Sequence, residues 1–275
     1  MCMNPSSRRA WRSLAISLLC VLPLAACARP APVRPGAAPA GPARRVAMVL
    51  TSHGQLGSTG KPTGFFLSEA THPWKVFQAA GYTIDLLSPR GGKAPMDGVD
   101  RSDPVNAAFL ADPAWVARTE ATTAIAAADA SRYDAVFFAG GHGTMWDLPD
   151  DPGVQALVRT VYERGGVVAA VCHGPAALVN ARLSDGRLLV AGKAVSAFTD
   201  EEEAAVQLDK VVPFALEGTL RARGARFVEA RAFERMVAVS GRLVTGQNPA
   251  SATGVAEAVV EILEGRTPAS PRRER

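Results

Sequence analysis

Four short apolar runs, Arg45–Thr51, Tyr82–Ser88, Ala135–Ala139 and Val167–Val171, punctuate the chain, and stretches of helical spacing lie between them. Runs so rich in Val, Leu, Ile and Phe present no face for water, so each reads as a strand buried on both sides. Such strands alternating with helices imply a parallel sheet covered on both faces. Helices are expected at Phe65–Ala80, ending at Gly81; at Ala107–Ala130, interrupted near Pro113; at Pro152–Arg164, stopped by Gly165-Gly166; at Gly174–Asn180; near Pro213–Arg223; and at Ser251–Glu264, capped by Asn248 and Ser251. Residues 89–105, rich in Gly, Pro and Asp, read as loop. A strand near Val195 and a strand pair across Arg235–Gly246, divided at Ser240-Gly241, complete the pattern. There is no internal repeat. With 275 residues, 48% of them hydrophobic, one domain over residues 46–265 is the simplest partition.

The two ends differ in kind. Arg8, Arg9 and Arg12 precede a short apolar stretch, Leu14–Leu24, too short to span a bilayer and typical of an export signal over residues 1–26. Leu24-Ala25-Ala26-Cys27 resembles a bacterial lipobox, so Cys27 is the expected lipidation site. Ala28 behind it suits sorting to the outer membrane, with the domain facing the periplasm. Ordinary cleavage near Ala26, without lipid, is the alternative. Residues 28–45 hold five prolines, six alanines and four arginines, a linker composition that could reach roughly 55 Å if extended. Residues 266–275 form a basic tail. The formal charge of +4 belongs to these ends: residues 1–26, 27–45 and 266–275 carry +3, +4 and +3, which leaves the body at −6. No basic stretch marks the body as a nucleic-acid binder, and no nucleic-acid partner is expected.

Cysteine usage then narrows the chemistry. Cys2 and Cys20 leave with the signal and Cys27 takes the lipid, so Cys172 is the one cysteine of the body, with no disulfide partner. It stands in Gly165-Gly166-Val167-Val168-Ala169-Ala170-Val171-Cys172-His173-Gly174-Pro175. A buried strand ends in a nucleophile, and a glycine two residues on lets the chain turn into a helix. That is the layout of a nucleophile elbow, with cysteine for serine. It exposes the sulfur at the carboxyl end of the sheet and aims the following helix's amino end at it, which favours thiolate.

Five stretches in order resemble the DJ-1/PfpI superfamily, and within it the Hsp31-like branch of cofactor-free glyoxalases: Thr63-Gly64-Phe65-Phe66 leading to Glu69 and His72-Pro73; Gly140 to Asp147; Ala169 to Ala177; Ala197 to Glu203; and Gly241 to Ser251. The resemblance covers most of residues 45–262. It implies a three-layer α/β sandwich on a mostly parallel, flavodoxin-like central sheet. It further implies Cys172 as nucleophile, His173 as neighbouring base, Glu203 as the acid orienting that histidine, and Glu69 as the carboxyl beside the sulfur. Main-chain N–H groups of Gly141 and His173 would form an oxyanion hole, with His142 as pocket wall or structural histidine. Asp200, Glu201 and Glu202 compete with Glu203 for its role. Thiolate and carboxylate in contact repel, so Glu69 and Cys172 should share a proton and titrate as a pair.

The implied reaction is conversion of methylglyoxal to lactate through a Cys172 hemithioacetal, a lyase of the glyoxalase III type, with a small reactive carbonyl as partner and no cofactor. His53 and His72 lack ligand spacing, so no metal is expected. A glutamine amidotransferase would need a histidine far downstream of the cysteine, and the chain has only His53, His72, His142 and His173. A cysteine peptidase, a holdase chaperone, a redox-stress protein and a deglycase stay as alternatives, and a homodimer stays open.

Overall fold

The computed structural model describes residues 44–268. The expected signal segment, Cys27, nearly all of the linker and most of the basic tail lie outside the described residues. In chain order the elements are β1 (Arg45–Val49), β2 (Phe65–Phe66), α1 (Leu67–Ala79), β3 (Thr83–Ser88), β4 (Met96–Asp97), α2 (Pro104–Ala111), α3 (Pro113–Glu120), β5 (Thr123–Ala124), β6 (Ala135–Phe138), α4 (Thr144–Asp147), α5 (Pro152–Glu163), β7 (Val167–Val171), β8 (Ala194–Val195), α6 (Asp200–Ala205), α7 (Leu216–Ala222), β9 (Arg226–Phe227), β10 (Val237–Ser240), β11 (Leu243–Gly246) and α8 (Ala252–Leu263). No helix among the described residues is long and apolar enough to cross a membrane.

Seven strands form one sheet in the order β10-β11-β7-β6-β1-β3-β5, parallel except for the β10–β11 hairpin. Without the hairpin's outer strand and the two-residue edge strand β5, the order β3-β1-β6-β7-β11 is the flavodoxin-like arrangement, with its switch point between β1 and β6. Each central strand divides its residues between two cores. Ala47, Val49, Val136, Phe138, Val168 and Ala170 face the side covered by α5 and α7. Val46, Met48, Ala135, Phe137, Val167 and Ala169 face the side covered by α1 and α8. This is the three-layer sandwich implied by the apolar runs, and both faces of the sheet are dry.

Three helices start on one local device. Asp103-Pro104, Asp112-Pro113 and Asp151-Pro152 each place a carboxylate at the N-cap and proline at the first helical position. Each aspartate accepts from main-chain N–H groups of the first turn, as Asp103 does from Val105 at 2.7 Å and Asp151 from Val154 at 2.8 Å. Asp103 therefore starts α2 inside the stretch read as loop. The helix expected to run to Ala130 ends at Glu120, and β5 and short 3₁₀ turns follow. Phe65–Phe66 pairs with Met96–Asp97 before α1 begins. The segment after Cys172 is a five-residue 3₁₀ turn, Gly174–Leu178, in place of the expected α-helix. Asn248 and Ser251 do not cap α8. Ser251 Oγ accepts from the Met236 N–H at 3.1 Å, and Asn248 Nδ2 donates to Glu202 Oε1 at 2.8 Å, so both tie the β10 approach to the centre of the fold.

Phe137 is fully buried at the middle of the sheet, where nothing can collapse into the space it leaves. Phe137→Ala should cost about 3–5 kcal/mol of stability, read as a lower urea midpoint; an unchanged midpoint would contradict this packing.

Candidate active site

Cys172 follows the last residue of β7, and its φ is +59°. A non-glycine residue in the left-handed region costs on the order of 1–3 kcal/mol and persists only where its surroundings hold it. Here the Cys172 N–H donates to the Gly246 carbonyl and its carbonyl accepts from the Phe198 N–H, both at 2.9 Å. The sulfur, only 4% exposed, lies at the carboxyl end of the sheet beside the end of β6. There the chain passes through Gly140 and Gly141. A Cβ at Gly140 would collide with Glu69 Oε2 and the Val171 carbonyl. Gly141, at φ +98°, passes against the Gly64 carbonyl and the Phe66 N–H with no space for a side chain. The Gly141 N–H has no acceptor among the described residues, and the His173 N–H faces the sulfur. Asp147 accepts from Thr51 Oγ1 at 2.8 Å and the Ser52 N–H at 2.7 Å, which pins the loop carrying His142 to the end of β1.

A polar chain leads away from the sulfur. His173 Nδ1 is 3.3 Å from Cys172 Sγ, and His173 Nε2 is 2.7 Å from Glu203 Oε2. The second Glu203 oxygen is 2.9 Å from His142 Nε2, and the two imidazoles lie 4.1 Å apart. Burial opposes charge on Glu203, but the bonds to His142 and His173 overcome it and hold its carboxyl down at about 2. An ionised carboxylate can only accept, so His173 carries its proton on Nε2 and turns a lone pair from Nδ1 to the thiol. Burial, with the neighbouring His142, lowers His173 to about 4 despite Glu203, so the ring is neutral at pH 7. This is the base–orienter geometry of a nucleophilic triad.

Glu69, in the first turn of α1, is 0% exposed. Its carboxyl lies against the Cys172 thiol and the Gly140 main chain, yet neither oxygen has a hydrogen bond of good geometry. Burial outweighs those weak contacts and raises Glu69 to about 8. Burial, followed by Glu69, also pushes the Cys172 thiol well above its ordinary value. Sulfur and carboxyl thus both hold protons at neutral pH. The α-helix end expected to favour thiolate is absent, and burial with Glu69 shifts the balance toward the thiol.

The fold brings together Cys172, His173, Glu203, Glu69, Gly141 and His142. Among the competitors of Glu203, Asp200 and Glu201 are exposed. Glu202 is fully buried and points elsewhere: it closes a capping box with Thr199 and accepts from the Phe233 N–H at 2.7 Å and Asn248 Nδ2 at 2.8 Å. It thereby holds the segment that sets Phe233 against Phe198, which in turn lies 4.5 Å from the His173 ring. Sequence reasoning missed this aromatic wall. Phe198 stood inside a matched stretch, but Phe233 had no local signal. His72 bonds Asp103 and Thr253, and His53 stacks on Trp146. Spacing gave no metal ligands, yet folding sets His142 Nε2, His173 Nε2 and a Glu203 oxygen within 4.8 Å of one another, a set able to hold a cation. Each imidazole bonds a different oxygen of Glu203, and the His173 bond is the one a triad requires.

The shifted groups divide the pH axis. Glu203 and His173 resist protonation in the fold, so stability is lost as pH falls from 4.5 to about 2 and from 6.5 to about 4, respectively. Glu69 keeps a proton that the unfolded chain releases, so stability is lost as pH rises from 4.5 to about 8. His173 and Glu69 oppose each other up to pH 6.5; from there to pH 8 Glu69 leads, and the raised Cys172 thiol adds its loss only above its ordinary value of 9. Glu69→Gln should therefore gain on the native protein by about 1.4 kcal/mol per pH unit above that point. Urea midpoints of both proteins at pH 6.5 and 8 check this, and a constant difference would show Glu69 to be ionised.

Comparison with known proteins shows the family. Residues 62–262 match the DJ-1/PfpI family. Glyoxalase 3 of Candida albicans is 35% identical over 240 residues, covering 80% of this chain and 98% of that protein. The glutathione-independent glyoxalase HSP31 of Saccharomyces cerevisiae is 32% identical over 80% of this chain and 98% of its own. The crystal structure of the Candida albicans enzyme superposes with a TM-score of 0.74 at 32% identity, covering 79% of this chain and 96% of that one. The 24 kDa rapid encystment protein of Francisella tularensis superposes with a TM-score of 0.78 at 38% identity, over 80% and 99%. The chain belongs to the DJ-1/PfpI family.

Proposed function

We propose that the protein is a glutathione-independent glyoxalase that converts methylglyoxal to lactate on Cys172. The observation that carries this reading is a buried thiol between two carboxyls in opposite states, Glu203 ionised behind His173 and Glu69 protonated at the sulfur. The sulfur attacks the aldehyde carbon while its proton passes to His173 Nδ1. The new oxyanion takes the N–H groups of Gly141 and His173, and a proton gives the hemithioacetal. Removal of the C1 hydrogen as a proton gives an enediol. Protonation at C2 then leaves a lactoyl thioester, and water releases lactate and the thiol. The carbonyl reduced at C2 matches the aldehyde oxidised at C1, so water is the one co-reactant. Glu69, a neutral acid at pH 7, is placed to give a proton to a substrate oxygen and take it back.

Turnover of methylglyoxal without glutathione tests the reading. Cys172→Ser should fall to background, and Glu69→Gln should lose about 10² to 10⁴-fold in kcat. Lactate formation by Cys172→Ser at the native rate would sink it.

The finer reading concerns place. The lipobox-like Leu24-Ala25-Ala26-Cys27 and the Ala/Pro-rich segment after it support an envelope lipoprotein facing the periplasm. Cells fed radiolabelled palmitate should label the native protein and not Cys27→Ser; equal labelling, or none, rejects the anchor.

A further inference from the structure

The pole of the domain opposite the catalytic site holds a cavity of about 300 Å³ at the amino ends of β1, β6, β7 and β11. Arg44, Arg132, Arg164 and Arg242 share its wall with Tyr133 and Asp134. Charge counting missed this cluster because Arg44 was counted with the linker and the other three are scattered within a body of net charge −6. The helix ends here explain two of the arginines. Arg44 bonds Asp134 at 2.7 Å and the Leu263 carbonyl at 3.3 Å. Arg242 donates to the carbonyls of Tyr162 and Gly166 and stacks on the Tyr162 ring. Helix ends do not explain Arg132 and Arg164, which are exposed and form no salt bridge among the described residues; Asp129, whose charge reaches both, does not line the cavity. Asp134, the sole carboxylate on the wall, is already bonded by Arg44 and by the Arg45 N–H. Four guanidinium groups around one cavity repel each other unless an anion joins them, and Arg favours phosphate through its planar donor fork.

We propose that this basic pole is a docking surface for an anionic membrane, its cavity taking the phosphate of a lipid headgroup. Two features select a lipid among phosphate sources. Arg44 is the first described residue and lies on the cavity, so the chain enters the domain at this pole. Cys172 lies at the opposite ends of the same strands, so docking here turns the catalytic site away from the bilayer, toward soluble substrate. The proposal is independent of the glyoxalase reading and draws on the envelope reading only for the choice of lipid.

The test uses the full chain carrying Cys27→Ser, which has no acyl group, with phosphatidylcholine vesicles prepared with and without phosphatidylglycerol. Residues 1–45 are themselves basic and favour anionic vesicles, so the pole is read from the change in that preference between parent and variant, in which the common N-terminal segment cancels. The parent should prefer anionic vesicles, and Arg132→Gln with Arg164→Gln should weaken that preference about 30-fold, near fivefold for each arginine. Methylglyoxal turnover should stay unchanged, which reports the fold. Three outcomes overturn the proposal: no preference for anionic vesicles, the parent's preference kept in the double variant, or preferential binding of inorganic phosphate or duplex DNA at equal ionic strength. Palmitate labelling reads the anchor separately, so failure of one result leaves the other standing.

Discussion

Everything at the catalytic site depends on the left-handed backbone of Cys172. A strand continued past Val171 would bury the side chain in one of the two cores. The reversal at φ +59° lifts the sulfur out of the sheet and turns the His173 N–H toward it. The strain is offset by rigid neighbours: β7 is buried along its whole length, and the elbow is bonded on both sides, to Gly246 and Phe198. The same turn sets His173 beside the sulfur, so nucleophile and base come from adjacent residues. Gly140 follows from it as well, because the elbow and Glu69 fill the space its side chain would occupy, while the Gly64–Phe66 backbone does the same at Gly141.

Two glutamates of similar burial reach opposite charge states, and the difference is one of partners. Glu203 takes an N–H from each of two imidazoles and stays ionised. Glu69 sits against a thiol and a crowded main chain, finds no strong donor, and keeps its proton. The pair is a case of environment separating acid from base within one pocket. It also explains why a thiol can rest protonated and still react. His173 is neutral, its lone pair faces the sulfur, and Glu203 stabilises the imidazolium formed when the proton moves. Activation comes from proton transfer in the encounter, without a standing thiolate.

The parts legible in the sequence were those written in contiguous residues. The four apolar runs gave the central strands because burial on both faces leaves no other pattern, and the elbow showed itself as a strand running into Cys172. Long-range pairings were less legible. The spacing from Cys172 to Glu203 leaves four acids in contention; the fold exposes Asp200 and Glu201, and the capping box turns Glu202 inward to Phe233 and Asn248. The Asp-Pro start of α2 was present in the sequence, but the Gly- and Pro-rich composition before it outweighed it. Asn248 and Ser251 carried correct capping chemistry yet found tertiary partners, as local propensity does when a buried carboxylate is within reach.

Parallel strand order gives the domain two unlike poles. Every strand of the parallel set ends on the side where chemistry occurs, so backbone N–H groups, glycine turns and Cys172 gather there. Helices α5 and α8 return to the other side, and their carboxyl ends leave carbonyls that attract guanidinium groups, as Tyr162 attracts Arg242 and Leu263 attracts Arg44. Cations therefore collect at this pole as a consequence of topology. Arg132 and Arg164 exceed what those carbonyls require, which makes the pole a surface and not merely a set of helix caps. Arg44 enters the sheet at this pole and Cys172 leaves it at the other, so one sheet polarity sets the reactive site and the basic cluster at opposite ends of the strands.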